Sequence, residues 1–233
     1  MAILNIETAT SVCSVSLSEN GQVLFEKASF DGPSHAALLG VFVDEAVKAS
    51  HILGRKIEAV AVSSGPGSYT GLRIGVSMAT GLCFGWNVPL IAIPTLYILA
   101  QKAVKTVSGD GYLGALFCAM LDSRRMEVYS ALYDSDLRII SDIEAQIITE
   151  NSYTHYLEKQ KVYFFGNGSG KCKSLIQSPN ATFIDDLHPL ACDMAVLSEQ
   201  AFLDKRFADV AYFEPFYLKE FIATTPKKLL NVM

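Results

Sequence analysis

Apolar and polar positions alternate in short runs at the start of the chain, and Ala2 to Ile6, Val12 to Leu17 and Gln22 to Lys27 each read as a strand. Asn20-Gly21 joins the second and third as a hairpin, because both residues tolerate the positive φ of a two-residue turn. The period then changes. From Pro33 and Ser34 to about Ala49, Leu38, Leu39, Phe42, Val43 and Ala46 recur at helical spacing and form one apolar stripe. Ile57 to Val62 is a β-branched run that predicts a buried strand, and Leu72, Val76, Ala79 and Cys83 then mark a helix over about Thr70 to Gly85. Leu90 to Ile93 adds a strand and Leu96 to Val104 a helix, so residues 1–107 read βββαβαβα.

Ser108-Gly109-Asp110-Gly111 interrupts the pattern. Beyond it come strands at Leu113 to Leu121, Glu127 to Tyr133 and Arg138 to Ile148, a helix at Ser152 to Glu158 and a strand at Val162 to Phe165. Gly170 to Gln177 is the next expected helix, Ala181 to Ile184 the next strand and Leu190 to Arg206 the last helix. The order is again βββαβαβα. Two successive halves with one order predict a pair of similarly folded α/β domains, residues 1–107 and 108–208, although the residues themselves show no clear repeat. Residues 209–233 are expected to pack back on the first domain and to end in a flexible tail.

The segment from Ser63 to Gly85 is the most unusual part of the chain. Gly65-Pro66-Gly67 breaks a strand sharply, and Ser68 or Thr70 can cap the helix that follows. That helix carries Gly71, Gly75, Gly81 and Gly85, each costing ~1 kcal/mol relative to alanine in a helix interior. Gly71, Gly75 and Ala79 share one face, which lets another backbone approach closely: either the protein's own sheet or the helix of another subunit. The turn fits none of the common phosphate or nucleophile motifs. Thr70 stands where a dinucleotide fingerprint needs its third glycine, Gly71-Leu72-Arg73 stands where a P-loop needs Gly-Lys-Ser/Thr, and Ser68 lies between Pro66 and Tyr69 rather than between elbow glycines.

Composition narrows the function classes. The 233 residues are half hydrophobic, enough for substantial cores, yet the apolar runs fall short of the ~20 residues that a membrane span needs. Met1 to Ile6 is no basic, hydrophobic leader, and a cytoplasmic location is expected. A net charge of −5 leaves no general basic footprint for gripping nucleic acid, so any such contact is expected through a partner. Arg124-Arg125 and Lys227-Lys228 read as solvated turn and tail charges. Five scattered cysteines without a Cys-x-x-Cys pair read as reduced, buried thiols.

Candidate chemistry is sparse. The four histidines form no helical metal pair; His188 and Cys192 are four apart but separated by Pro189, with no third ligand in view. Asp185 and Asp186 are adjacent and point apart in an extended segment, and no serine has a recognisable histidine partner. Gly166-Asn167-Gly168-Ser169-Gly170 forms a second glycine-rich turn, one residue short of a P-loop and followed by Lys171-Cys172. No metal or cofactor is expected.

Ser63-Ser64-Gly65-Pro66-Gly67-Ser68-Tyr69-Thr70-Gly71-Leu72-Arg73-Ile74-Gly75, with Ile3-Leu4-Asn5-Ile6-Glu7-Thr8-Ala9-Thr10, closely resembles the TsaB family, formerly YeaZ. The likeness covers about the first hundred residues by motif, and Pro215-Phe216-Tyr217-Leu218-Lys219 also looks like this family. The resemblance implies the two-domain actin-like, sugar-kinase and Hsp70-type (ASKHA) fold. It implies a non-catalytic subunit that supports threonylcarbamoyladenosine formation in tRNA, with a TsaD-like catalytic subunit and a TsaE-like ATPase as partners. A homodimer is expected in isolation, and tRNA contact only through the complex.

The related TsaD proteins carry a His-x-x-x-His metal pair after the strand that Leu90 to Pro94 resembles; Thr95 and Leu99 stand in those places, and Asp193 is left as the corresponding acid. Glu7 replaces the usual Asp of the first turn, and Glu7, Thr8, Thr10, Gly166 and Gly168 are expected to be degenerate nucleotide-site turns. In the family the first two helices meet a partner. That implies an interface of Leu38, Leu39, Phe42, Gly71, Leu72, Gly75, Val76 and Ala79. The competing expectations are an autonomous nucleotide-dependent kinase or hydrolase and an M22-type peptidase.

Overall fold

The first three strands form an antiparallel meander in the computed structural model, which describes residues 1–32, 34–107, 112 and 114–218. β1 (Ala2–Glu7) pairs with β2 (Cys13–Glu19), and β2 with β3 (Gln22–Ser29) across a hairpin in which Asn20 and Gly21 both have positive φ. β4 (Ile57–Gly65) and β5 (Leu90–Pro94) add parallel strands on the other side, giving the order β3-β2-β1-β4-β5. α1 (His35–Ile52), α2 (Tyr69–Trp86) and α3 (Thr95–Thr106) connect or follow these strands.

β6 (Leu116–Asp122), β7 (Glu127–Tyr133), β8 (Ile139–Ile147), β9 (Val162–Phe165) and β10 (Ala181–Ile184) repeat the plan. Their order, β8-β7-β6-β9-β10, reproduces the first sheet with the same antiparallel and parallel pairs. Helices are shorter in this half. The expected helix at Ser152 to Glu158 is the single turn α4 (Thr154–Leu157), and Gly170 to Gln177 forms only a 3-10 turn at Gly170–Cys172 before the chain reaches Pro179. The last expected helix opens with a 3-10 turn at Ala191–Met194 and continues as α5 (Ala195–Leu203). For the second segment, the start at Gly170 and the stop at Pro179 leave little length for a stable α-helix. Pro33, the Ser108 to Gly111 break, Leu113 and the tail 219–233 lie outside the described residues.

The two sheets share helices. On one face of the first sheet, Leu39, Phe42, Val43 and Ala46 of α1 and Val76, Ala79 and Cys83 of α2 enclose Leu4, Ile6, Val15, Val60 and Val62. α3 sits between the sheets: Ile98 packs with Ile91 and Ile93, while Leu96, Leu99, Ala100 and Ala103 pack on Phe117, Ala119, Leu121 and Phe165. α5 follows the second sheet in sequence but buries Leu197 and Ala201 against Ile3, Ala59, Ala61 and Ile91 of the first. The division at 107/108 therefore separates the strands and not the helices. Beyond α5 the chain returns to the first sheet, where Ala208 N donates to Leu90 O at 2.8 Å and Phe216 N to Ser64 O at 2.7 Å. Among the described residues no helix is long and apolar enough to cross a membrane.

Two glycines of α2 separate packing from propensity. A Cβ on Gly71 would overlap Thr8 O, whereas one on Gly81 meets open space. Gly71→Ala is expected to lower stability by about 2 kcal/mol or more through overpacking, and Gly81→Ala to raise it by up to about 1 kcal/mol. Urea unfolding of both variants beside the wild type checks the opposite signs.

Candidate functional site

Residues 7–10 link β1 to the start of α2. Glu7 ends β1 with its Oε1 accepting from Ala9 N at 2.7 Å, and Val12 N donates to Thr10 Oγ1 at 3.3 Å, so the turn is braced from within. Ser68 caps α2: its Oγ accepts from Gly71 N at 3.3 Å, while Ser68 N donates to Ala9 O at 2.7 Å. The Thr8 hydroxyl donates to Gly71 O at 2.9 Å. Cβ atoms on Gly67, Gly71 and Gly75 would overlap Ala9 O, Thr8 O and Thr8 Oγ1 respectively. The space in which a helix N-terminus would cradle a phosphate is thus filled by the protein's own Thr8-Ala9-Thr10 turn.

The electrostatics behind that turn point the same way. Burial pushes the Glu7 carboxyl from 4.5 up to about 8, against lowering bonds from Ala9 and Ser63 and with a further push from Asp193. At neutral pH Glu7 is therefore mostly a protonated acid. Asp193 is also raised by burial, but Lys102 of α3 reaches its Oδ2 at 3.1 Å and donates to His188 O at 3.0 Å. An internal ammonium thus compensates the one carboxylate that the sequence comparison singled out as a metal ligand. Thr95 and Leu99 are fully buried, Leu99 against the Gly166 turn, and Thr95 Oγ1 has no hydrogen-bond partner among the described residues. No group of three potential metal-binding side chains forms among the described residues.

The second turn is closed in a similar way. A Cβ on Gly166 would overlap Met120 O, and one on Gly168 would stand 2.7 Å from Leu121 C, so β6 fills the space. Lys171, one residue past the glycines, turns back to Asp122 and to the carbonyls of Arg125 at 2.7 Å and Glu127 at 2.6 Å. Leu99 of α3 stands beside Gly166. Cys13, Cys83, Cys118 and Cys172 are buried and Cys192 is partly buried, all with thiols raised by burial.

The helix face expected to meet a partner turns inward. Leu39, Phe42, Gly71, Leu72, Gly75, Val76 and Ala79 are buried within the chain, and Leu38 is partly buried against the same core. The close approach encoded by Gly71 and Gly75 is taken by Thr8 of the same chain. The outer side of the same helix pair instead carries a shallow groove of about 600 Å³ lined by Ala36, Arg73, Ile74, Ser77, Met78, Gly81 and Leu82. On the same two helices Val41 is 52% and Phe84 85% exposed, large apolar side chains left in water. The only sequence signal for this face was the second small-residue run, Gly81 and Gly85.

Two copies of one five-stranded order, sharing helices across a turn-lined junction, define the duplicated actin-like and sugar-kinase class of α/β protein. Residues 26–227 match the family model described as TsaD, tRNA N6-adenosine threonylcarbamoyltransferase. The tRNA threonylcarbamoyladenosine biosynthesis protein TsaB of Escherichia coli is 31% identical over 96% of this chain and 96% of its own length. Its Haemophilus influenzae counterpart is 27% identical over 98% and 97%. A solved Pseudomonas aeruginosa protein described as similar to peptidase YEAZ superposes with a TM-score of 0.79 at 26% identity, covering 94% of this chain and 99% of that one. The chain belongs to the family of the TsaD model and, within it, to the TsaB (YeaZ) family.

The Glu7 environment sets a pH dependence with a defined sign. The folded chain keeps the Glu7 proton to about pH 8, while the unfolded chain releases it near 4.5. The stability contribution is complete below the lower value and is lost as pH rises through the upper one, with a limiting slope of about 1.4 kcal/mol per pH unit. Glu7→Gln, which keeps the shape and cannot ionise, is expected to flatten this decline. Urea unfolding near pH 6 and near pH 8 measures it, with the wild type losing more stability than the variant.

Proposed function

We propose that this protein is a non-catalytic subunit that binds a TsaD-like catalytic subunit through the outer groove of α1 and α2 and supports threonylcarbamoyl transfer to tRNA adenosine. The observation that carries the reading is the contrast between two kinds of surface. The glycine turns where related folds do chemistry are filled by Thr8, Leu121 and Leu99, and the acid Asp193 is paired with Lys102. The apolar groove between the first two helices is open. Bond chemistry then belongs to the partner, and a TsaE-like ATPase completes the set. The net charge of −5 fits tRNA being held through the complex in the cytoplasm rather than by this chain alone.

What the chain contributes in this reading is a rigid platform. α2 is latched to β1 by Ser68 and Thr8 at its first turn, so the helix pair meets a partner without much ordering cost. A stable interface needs about 800 Å² per partner, and the exposed Val41 and Phe84 extend the apolar surface beyond the groove itself. Isolated protein uses the same face for a second copy, which the catalytic subunit displaces.

Met78→Asp and Gly81→Arg place charge and bulk in the groove without touching the Thr8 contact. Each is expected to weaken pairing with the TsaD-like subunit about thirtyfold or more, with the monomer still folded and tRNA modification by the reconstituted set lost in parallel. Gel filtration with light scattering and a tRNA modification assay read the two effects. Unchanged pairing in both variants overturns the groove, and turnover of ATP by the purified chain alone overturns the non-catalytic role.

A further inference from the structure

Past α5 the chain lies across the start of α2. Phe216 N donates to Ser64 O at 2.7 Å, and a Cβ on Gly65, which has φ +109°, would come within 2.7 Å of the Phe216 carbonyl. The backbone is therefore seated closely on the turn that begins the helix. One residue on, the Tyr217 ring lies 5.1 Å from the Tyr69 ring. Arg73, one helical turn after Tyr69, holds its guanidinium 4.5 Å from that ring's centre, and Tyr217 favours its charged form.

Arg73 is fully exposed and yet fixed. A free arginine carries large rotamer entropy, and the stacking face of Tyr69 removes part of it in advance of any encounter. Its position is also special: Arg73 is the charged residue of a groove otherwise lined by Ala36, Ile74, Ser77, Met78, Gly81 and Leu82. Glu214 adds a longer-range negative charge from the same C-terminal segment. The guanidinium has five donors in a planar fork, a geometry suited to a carboxylate.

We propose that residues 213–218 form a positioning strap that aims Arg73 across the mouth of the groove, where it pairs with a carboxylate on an apolar helix of the docking partner. This rests on the groove reading above and adds to it a recognition residue, the charge of the group it meets, and a segment remote in sequence that controls it. Tyr217 acts through Arg73 and does not itself touch the partner.

The test is calorimetric binding of the full-length chain to the TsaD-like subunit, at low and high salt, with equal thermal unfolding of every variant as the folding control. Arg73→Ala is expected to weaken binding about tenfold and to reduce its salt dependence. Tyr217→Ala, which removes the ring from Tyr69, is expected to weaken it about threefold in the wild-type background and to have no further effect when Arg73→Ala is present. Wild-type binding that is indifferent to Arg73→Ala overturns the recognition role. A Tyr217→Ala effect that persists in full beside Arg73→Ala overturns the strap. No wild-type binding at all overturns the docking reading and this inference together, and so is distinguished from the two narrower failures.

Discussion

The contact between the Thr8-Ala9-Thr10 turn and the first two turns of α2 is the constraint on which the rest of the structure depends. It exists only because Gly67, Gly71 and Gly75 lack side chains where Thr8 and Ala9 press against them. Three glycines in or beside a helix are unfavourable as local structure, and they are offset by tertiary contact: a cap from Ser68, a bond from Thr8 to Gly71 O, and the burial of Leu72, Val76 and Ala79 on the first sheet. Once α2 is held this way, its opposite side is committed to solvent. The groove is thus a geometrical consequence of the inward packing, since a helix that buries one small-residue stripe presents the other.

Filling the turn also settles the local electrostatics. Burial leaves the Glu7 carboxyl its proton up to about pH 8, and the partly buried acid Asp193 is paired with a charge from within the chain. Lys102 supplies it from α3, the helix shared between the two sheets. Lys171 does the comparable service for Asp122 in the second half. Each half of the duplicated fold thereby closes its glycine turn with backbone or side-chain atoms and satisfies a nearby acid with lysine.

Much of this architecture was legible in the residues. The hairpin at Asn20-Gly21, the strand before Gly65 and the repeated element order follow from period and turn chemistry, which are local properties. The facing of the glycine stripe was not. Periodicity tells which residues share a side of a helix, but Gly71, Gly75 and Ala79 suit a crowded interior and a crowded interface equally well, and only the position of Thr8 decides between them. The Lys102 and Asp193 pair was invisible for a related reason, since it joins α3 to a 3-10 turn far along the chain. α5 misled differently: Val196 and Leu203 are exposed while Ala195, Ser198 and Ala201 are buried, so no clean stripe announces that it belongs to the first sheet.

On the proposed non-catalytic reading, the surface rather than the junction is where this chain differs from a catalyst of the same class. A two-sheet fold with a turn-lined junction needs something there to hold its polar ends together; a nucleotide or a metal does so in one solution, and internal lysines with close-packed turns do so in another. The second solution removes the need for the halves to open and close around a ligand. It leaves α3 packed against both sheets and the C-terminal segment running back over the Gly65 turn, contacts that favour one arrangement of the halves. A helix pair that leaves apolar side chains exposed on a body held this way suits the proposed role of being bound by a partner, because little ordering is needed at docking.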